Sequence, residues 1–479
     1  MSQTARAVAR QASLLMLAST AQKAIAFFAF TIAARVLGVD GVGTYFYVLS
    51  LSSLAGAWTD LGMTPIVIRA FASSEEAGWQ AVRRAVVAKA VLVPVAAIMA
   101  LLYTGTLLPG GGAMIPLVVL ALAVMAEDAF SLLGYGILRG RQRLERESLG
   151  MVLGQLLSSG ALVAAVLLGF GVTGALVALL LGSAWHLGWS TFWVWRFGIG
   201  GWKGEPLPWK ELIREATPFA LAGLFVRVYS SVDALLLRHW QGETAVGHYA
   251  VAYKLTYALQ FLPLAFVAAL YPALSAAHAR EDETALVHTS LGSWRFMAFL
   301  GFPLAAALSG FAPRLVTWVY GTAFTPAVPI LSVLAWALPL LFLDFPVGSY
   351  LNATHQAGRK TFAMGVTMAV NAVANLLLIP VLGGVGAALG ALIGYAALLG
   401  VGVWYGRSVF FSATARQVVY RGAVLSAVLW SVIHWLLAPV PLVIALLVAP
   451  LIALALALGL SLVRVDDLRS AYAWGRRSV

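Results

Sequence analysis

Lys23 and Arg227 sit near the middle of two apolar stretches, residues 13–34 and 218–237. A cation at mid-bilayer depth costs about 2.5–3.5 kcal/mol on insertion scales, so it is expected to face a cavity or a partner and not lipid. The two positions are 204 apart, and other landmarks return at nearly the same interval. Arg35 recurs as Arg238, Asp40 as Glu243, Gly43 as Gly247 and Tyr45 as Tyr249. A central cation in each of two equivalent halves is suited to an anionic substrate handled within the bilayer. Arginine grips phosphate through two parallel bonds, lysine supplies a compact charge, and a low-dielectric surrounding strengthens both. The competing reading is that each cation neutralises a carboxylate and ties helices together; Asp60, Glu127, Asp128, Asp233 and Asp344 are available.

Other charged residues carry weaker signals. Lys254, followed at one and two turns by Tyr257 and Gln260, can line the same cavity or a helix contact. Arg69 closes the second apolar stretch, where it can meet an incoming head group or set topology. Glu127 and Asp128 are adjacent near the middle of the fourth stretch and cannot share a helix face, so one is expected to meet the cavity or a cation. That pair, with Asp60 and Asp233, forms the candidate set for coupling or counter-charge. Asp60 belongs to a DLG turn and reads more simply as a helix-packing device. Arg35 and Arg238 lie at helix ends, where they can snorkel or cap carbonyls. Arg139, Arg141, Arg143 and Arg146 make a basic loop next to anionic lipid.

The elements that must position these residues are membrane helices. With 61% hydrophobic and 10% charged residues over 479 positions and a mean hydropathy of +0.90, a soluble globule is excluded. The apolar runs are each near the roughly 20 residues that cross a bilayer as a helix. They lack the short alternation of barrel strands. Fourteen spans are expected, near residues 12–35, 44–69, 84–107, 114–138, 148–169, 174–196, 215–238, 246–272, 289–312, 326–353, 361–380, 385–407, 419–438 and 441–463. Pro94, Pro263 and Pro339 interrupt three of them. Of the 31 basic residues, all but six fall on one side when both termini are placed in the cytoplasm. Arg35, Arg238 and Arg314 lie at the outer ends, and Lys23, Arg227 and Lys254 lie within spans. The positive-inside bias fixes this orientation and explains the basic charge without nucleic acid. The sequence holds 0 cysteines, no phosphate loop, no metal-spaced cluster and no nucleophile elbow, so no cofactor and no enzymatic activity are expected. Gly386, Gly390 and Gly394 share one helix face, the pattern of closely packed membrane helices.

The stretch AARVLGVDGVGTYFYVLSLSSLAGAWTDLGMTPIVIRAFA, residues 33–72, resembles the polysaccharide-biosynthesis transporter family of oligosaccharide-lipid flippases, within the multidrug/oligosaccharidyl-lipid/polysaccharide exporter superfamily. Arg35, Leu37, Gly38, Gly43, Tyr45, Asp60, Leu61, Gly62 and Arg69 carry the match, and LRGRQRLE, residues 138–145, looks like the family's basic loop. The resemblance implies an all-α polytopic membrane protein. It would have two pseudo-symmetric six-helix lobes, residues 1–197 and 198–408, around a central cavity that opens alternately to each side. Two further helices and a cytoplasmic tail would fill residues 409–479. It implies a bacterial inner-membrane protein that moves undecaprenyl-diphosphate-linked oligosaccharide to the outer leaflet for O-antigen, capsule or exopolysaccharide synthesis, alongside polymerase and ligase machinery. Lys23 and Arg227 would bind the diphosphate. A lipid II flippase and a multidrug antiporter for organic cations are the rivals; the central cations weigh against the second. A polymerase or ligase would need a large catalytic outer loop, and the loops are short.

Overall fold

The computed structural model describes residues 3–198 and 205–462. Lys203, Arg464, Arg469, Arg476, Arg477 and the expected tail lie outside the described residues. Among the described residues the chain is helical throughout, without strands. In order, the helices are α1 (Gln3–Asp60), α2 (Met63–Ser73), α3 (Glu75–Leu102), α4 (Ile115–Gly140), α5 (Leu144–Leu167), α6 (Gly171–Arg196), α7 (Trp209–Ala258) and α8 (Phe261–Ala279). They continue with α9 (Glu283–Gly310), α10 (Ala312–Tyr320), α11 (Ala327–Leu334), α12 (Ala337–Ala353), α13 (Ala357–Tyr405), α14 (Arg407–Phe410), α15 (Ala413–Trp435) and α16 (Leu442–Gly459).

Among the described residues, 11 helical stretches are long and apolar enough to cross a membrane. Three of these, Ala18–Asp60, Trp209–Leu264 and Ala357–Tyr405, are of double length. Each is broken by a glycine with non-helical backbone, Gly38, Gly242 and Gly383 respectively. Counting the halves separately gives the fourteen spans expected from hydropathy, and the chain is a multi-pass membrane protein. Two of the three expected proline interruptions fall near breaks between helices, whereas α3 continues through Pro94. Pro94 is inside α3, Pro263 opens α8 after the break at Leu259 and Gln260, and Pro339 follows the break between α11 and α12.

The chain divides into two compact units, Met1–Ala250 and Val251–Val479. In the first, α4, α5 and α6 pack closely because small residues meet large ones. Gly150 receives Trp189, Gly154 receives His186, and Gly134 lies against Ser190; in lipid such close approach, not hydrophobic exclusion, holds helices together. In the second, Trp294, Met297, Phe302, Phe342, Leu425 and Leu429 of α9, α12 and α15 form the core. Gly390 and Gly394 lie against Asn375 and Asn371 of the same folded-back helix α13, and Asn375 Nδ2 donates to Asn371 Oδ1 at 3.1 Å. The small-residue face read from the sequence is therefore a contact face.

Candidate functional site: a polar cavity in the first unit

The DLG turn builds one wall of a cavity. Asp60 ends α1, Leu61 and Gly62 take positive φ, and the chain re-enters a helix at Met63. That geometry turns the Asp60 carboxylate back on its neighbours. Its Oδ1 accepts from Thr64 Oγ1 at 2.5 Å and from Lys89 Nζ at 2.7 Å. The Lys89 side chain is 0% exposed, and that of Asp60 is 22% exposed. A fully buried ammonium with one carboxylate partner is a strong constraint, because removing either leaves an uncompensated charge.

The cavity above this turn has a volume of about 440 Å³. Ser52, Ser53, Thr59, Asp60, Asp128 and Arg227 supply its polar lining among aliphatic residues such as Leu49, Val124 and Leu132. Arg227 Nη1 donates to Ser53 Oγ at 2.9 Å. Asp128 Oδ1 accepts from Ser183 Oγ at 2.7 Å, and Arg227 acts on it electrostatically without closing to an ion pair among the described residues. Arg227 thus reaches the wall with one hydroxyl partner and its other donors uncommitted. An arginine in that state can take a bidentate anion.

A second arrangement lies at the corners where α1 and α7 break. Gly38 (φ 68°, ψ −177°) and Gly242 (φ 82°, ψ −176°) adopt the same backbone conformation at equivalent places in the two repeats. The corners pack reciprocally: a Cβ on Gly43 would meet the Glu243 carbonyl, and one on Gly247 would meet the Val39 carbonyl. Thr244 Oγ1 donates to Asp40 Oδ1 at 2.5 Å.

Comparison with known proteins supplies the family. A family model described as polysaccharide biosynthesis protein matches residues 8–278, which is more than half of the chain. The chain belongs to that family. A MatE model matches residues 218–381. The chain is 21% identical over 392 residues to "Probable low-salt glycan biosynthesis flippase Agl15" of Haloferax volcanii, covering 81% of each. Its fold is similar to that of lipid II flippase MurJ in an inward closed conformation, with a TM-score of 0.73, 13% identity, and coverage of 93% of this chain and 98% of the other. It is also similar to an inward-facing multidrug resistance MATE family transporter of the MOP superfamily, with a TM-score of 0.67, 19% identity, and coverage of 81% and 94%.

For this polysaccharide-biosynthesis protein the cavity gathers some of the residues singled out in the sequence and leaves others elsewhere. Arg227, Asp60 and Asp128 share it. Of the adjacent acids it is Asp128 that meets the cavity; Glu127 keeps a buried Oε2 without a hydrogen-bond partner. Lys23 is exposed on α1 and is not among the lining residues. Asp233 is buried at 2% exposure, accepting from the Tyr249 hydroxyl and from the Ala234 amide. Arg69 stacks over Phe219 at 4.9 Å. Lys254 belongs to the second unit and is half-buried beside Tyr253 and Tyr257, whose rings are 4.1 Å apart. Arg238 does not snorkel: it is 8% exposed and paired with Glu243 at 3.1 Å, since burial leaves a guanidinium needing an acid more than a helix end does. The sequence reasoning missed Lys89, counted as a charge near a loop, and the hydroxyls of Ser53 and Ser183. Lys89 lies on the turn of α3 level with Asp60, which no local pattern encodes.

Proposed function

We propose that this protein is a flippase that carries undecaprenyl-diphosphate-linked oligosaccharide from the inner to the outer leaflet of the bacterial cytoplasmic membrane. The lipid would feed O-antigen, capsule or exopolysaccharide assembly by polymerase and ligase enzymes. Membership of the polysaccharide-biosynthesis family and the printed name of the Haloferax relative support the glycan-flippase class. The observation that carries the residue assignment is Arg227, at mid-helix on the wall of a polar cavity, held by Ser53 and free of any carboxylate ion pair among the described residues. In this reading Arg227 grips the diphosphate, Asp128 tunes its charge, and Lys23, its counterpart in the other repeat, supplies a second cation. Lys254 and Arg69 are the further candidates along the route, with Glu127 and Asp233 as buried counter-charges. Lobes at residues 1–197 and 198–408 would alternate in access, with both termini cytoplasmic. The protein would act without a cofactor and without covalent chemistry.

Moving negative charge outward is favoured by an inside-negative potential, by about 2.3 kcal/mol per charge per 100 mV. Flipping in proteoliposomes is therefore expected to slow when the potential is collapsed, and an unchanged rate would remove that driving force from the reading. The main test is complementation of a deletion strain. Arg227→Ala and Lys23→Ala should each abolish surface glycan while inserting normally in the membrane, with the lipid-linked precursor accumulating in the inner leaflet. Normal surface glycan in both variants would overturn the assignment. Lysis on depletion, in place of glycan loss, would favour the lipid II reading, and extrusion of a cationic dye would favour the antiporter.

A further inference from the structure

The turn between α4 and α5 contains four arginines in eight residues, Arg139, Arg141, Arg143 and Arg146, and they are not equivalent. Two are committed. Arg139 grips the buried Glu147 through Nε at 2.8 Å to both carboxylate oxygens. Arg141 pairs with Glu75 and also donates to the Gly198 carbonyl at 3.0 Å. The other two have rings where acids would be expected. The Arg146 guanidinium lies 4.1 Å above the Trp193 ring and that of Arg143 lies 5.0 Å above Phe197. Arg143 has a carboxylate, Glu145, only at 4.0 Å. The Arg146 side chain has no carboxylate or hydrogen-bond acceptor among the described residues, and its Nε is buried without a partner.

The rings are fixed in advance. Trp185, Trp189, Trp193 and Phe197 follow one another up one face of α6, with successive centroids 5.5, 5.9 and 5.3 Å apart. Trp189 Nε1 donates to the Arg146 carbonyl at 2.8 Å, and Gly150 leaves the room that Trp189 occupies. A guanidinium held over an indole face by its charge still has its N–H donors to satisfy. A merely solvated arginine would keep Nε in water, because burying an N–H without an acceptor is costly. The partner that Arg146 lacks is therefore an acceptor, at the end of the membrane helices where tryptophans sit at head-group depth.

We propose that Arg143 and Arg146, seated on Phe197 and Trp193, bind the phosphate of a membrane lipid. Two sources offer the same chemistry: the phosphodiester of an anionic phospholipid, and the diphosphate of an isoprenoid carrier. The site is separate from the Arg227 cavity and does not depend on the transport reading.

Native mass spectrometry of the full chain in detergent, titrated with phosphatidylglycerol, tests it. Removing a guanidinium near a head group should weaken binding about fivefold, the equivalent of about 1 kcal/mol, so the double variant R143Q/R146Q should lose most adducts. Arg214→Gln, an exposed arginine elsewhere, should keep them. Arg146→Lys preserves charge and fold but not the planar fork, and should fall between. Farnesyl diphosphate that displaces phosphatidylglycerol, where farnesol does not, assigns the site to isoprenoid diphosphates; failure to displace assigns it to the phospholipid. Adducts retained in full by a monodisperse R143Q/R146Q protein, or lost equally in Arg214→Gln, would overturn the proposal.

Discussion

Two cavities of similar size, of about 440 Å³ in the first unit and about 420 Å³ in the second, have linings opposite in character. Asp60, Asp128 and Arg227 stand on the first wall; the second is lined by leucine, phenylalanine, proline and alanine, such as Leu259, Phe299, Pro303 and Ala453. The second unit has charges too, some lining a separate pocket with Glu281, Asp282 and Glu283, and one pair buried against each other. Lys360 Nζ donates to both oxygens of Asp344 at 2.6 Å, with side chains 10% and 13% exposed. In the first unit the corresponding economy is incomplete: Lys89 is wholly buried while its acid, Asp60, remains 22% exposed on the cavity wall. A polar cavity can hold water and a charged guest, whereas a purely apolar one offers neither a partner. Of these two cavities, the first is the one that offers a charged guest a partner.

Loss of a single lysine separates the two cases most sharply. Lys360→Met strands Asp344 in a packed interior and is expected to cost about 3–5 kcal/mol, whereas the double change D344L/K360M should recover most of it. Lys89→Met leaves Asp60 beside a hydratable cavity, so its cost should be nearer about 1–3 kcal/mol, the range for an unsatisfied polar group. Unfolding midpoints of the four proteins in detergent would measure both. A Lys89→Met penalty equal to that of Lys360→Met would mean that the first cavity does not hydrate Asp60, and the contrast would fail.

Filling the cavities probes the same contrast through transport. A Cβ on Gly56 would meet Met125 only at 3.6 Å, ordinary contact, so Gly56→Leu should project into the polar space without displacing backbone. Ala453→Leu fills the apolar one. Added methylenes cost each protein about 1–3 kcal/mol or less, since both enter existing voids. Surface glycan in a complemented deletion strain should be lost with Gly56→Leu and kept with Ala453→Leu. The reverse pattern would move the functional cavity to the second unit.

Within the first unit the two repeats offer a finer comparison. Gly43 and Gly247 each face a carbonyl of the opposite corner, Glu243 and Val39. Alanine at either must push a backbone segment away, and overpacking of that kind costs about 1–3 kcal/mol. Reciprocal geometry predicts near-equal penalties, with the double variant costing less than the sum because one displacement relieves both contacts. Unfolding midpoints that differ several-fold between the single variants would show that the corners only resemble each other.

The spans were legible because hydropathy and length alone specify membrane helices; their ends moved by a few residues where the DLG turn splits the second span into α1 and α2. The repeat was legible from Lys23, Arg227, Gly43 and Gly247, spaced alike in both halves. The cavity was only partly so. Arg227 and the acids stand out as charges in apolar runs, and a lone charge at that depth has few uses. Lys89 does not stand out, since a lysine five residues after Arg84 looks like one more basic residue near a helix end. Its burial depends on α3 packing against the end of α1, a contact between residues 29 apart. Ser53 and Ser183 could not be found either, because serine is common in membrane helices and only the facing partner distinguishes these two. The contrast between committed and uncommitted arginines in the α4–α5 turn depends on rings some fifty positions away.

The smallest expected effect belongs to Gly38 and Gly242. Both combine a positive φ with an extended ψ, a region essentially reserved for glycine, where a side chain costs about 1–3 kcal/mol. Nothing lies within 4 Å of a Cβ at either place, so no packing term adds to the backbone strain. Gly38→Ala and Gly242→Ala should therefore fall at the lower end, about 1 kcal/mol each, below the Gly43 and Gly247 changes despite lying in the same corners. Strain and overpacking also differ in how they can be relieved. A strained residue can recover by letting the corner relax into continuous helix, which shifts the register of α1 or α7 against its neighbours, so the Gly38 variant should raise amide exchange around residues 36–44 more than its modest stability loss would suggest. The overpacked Gly43 variant has no such route and should raise exchange in the opposite corner, around residues 239–247, as well. Exchange confined to the mutated corner in both variants would show that the two breaks are mechanically independent, and that the shared spacing records common ancestry without a working contact between them.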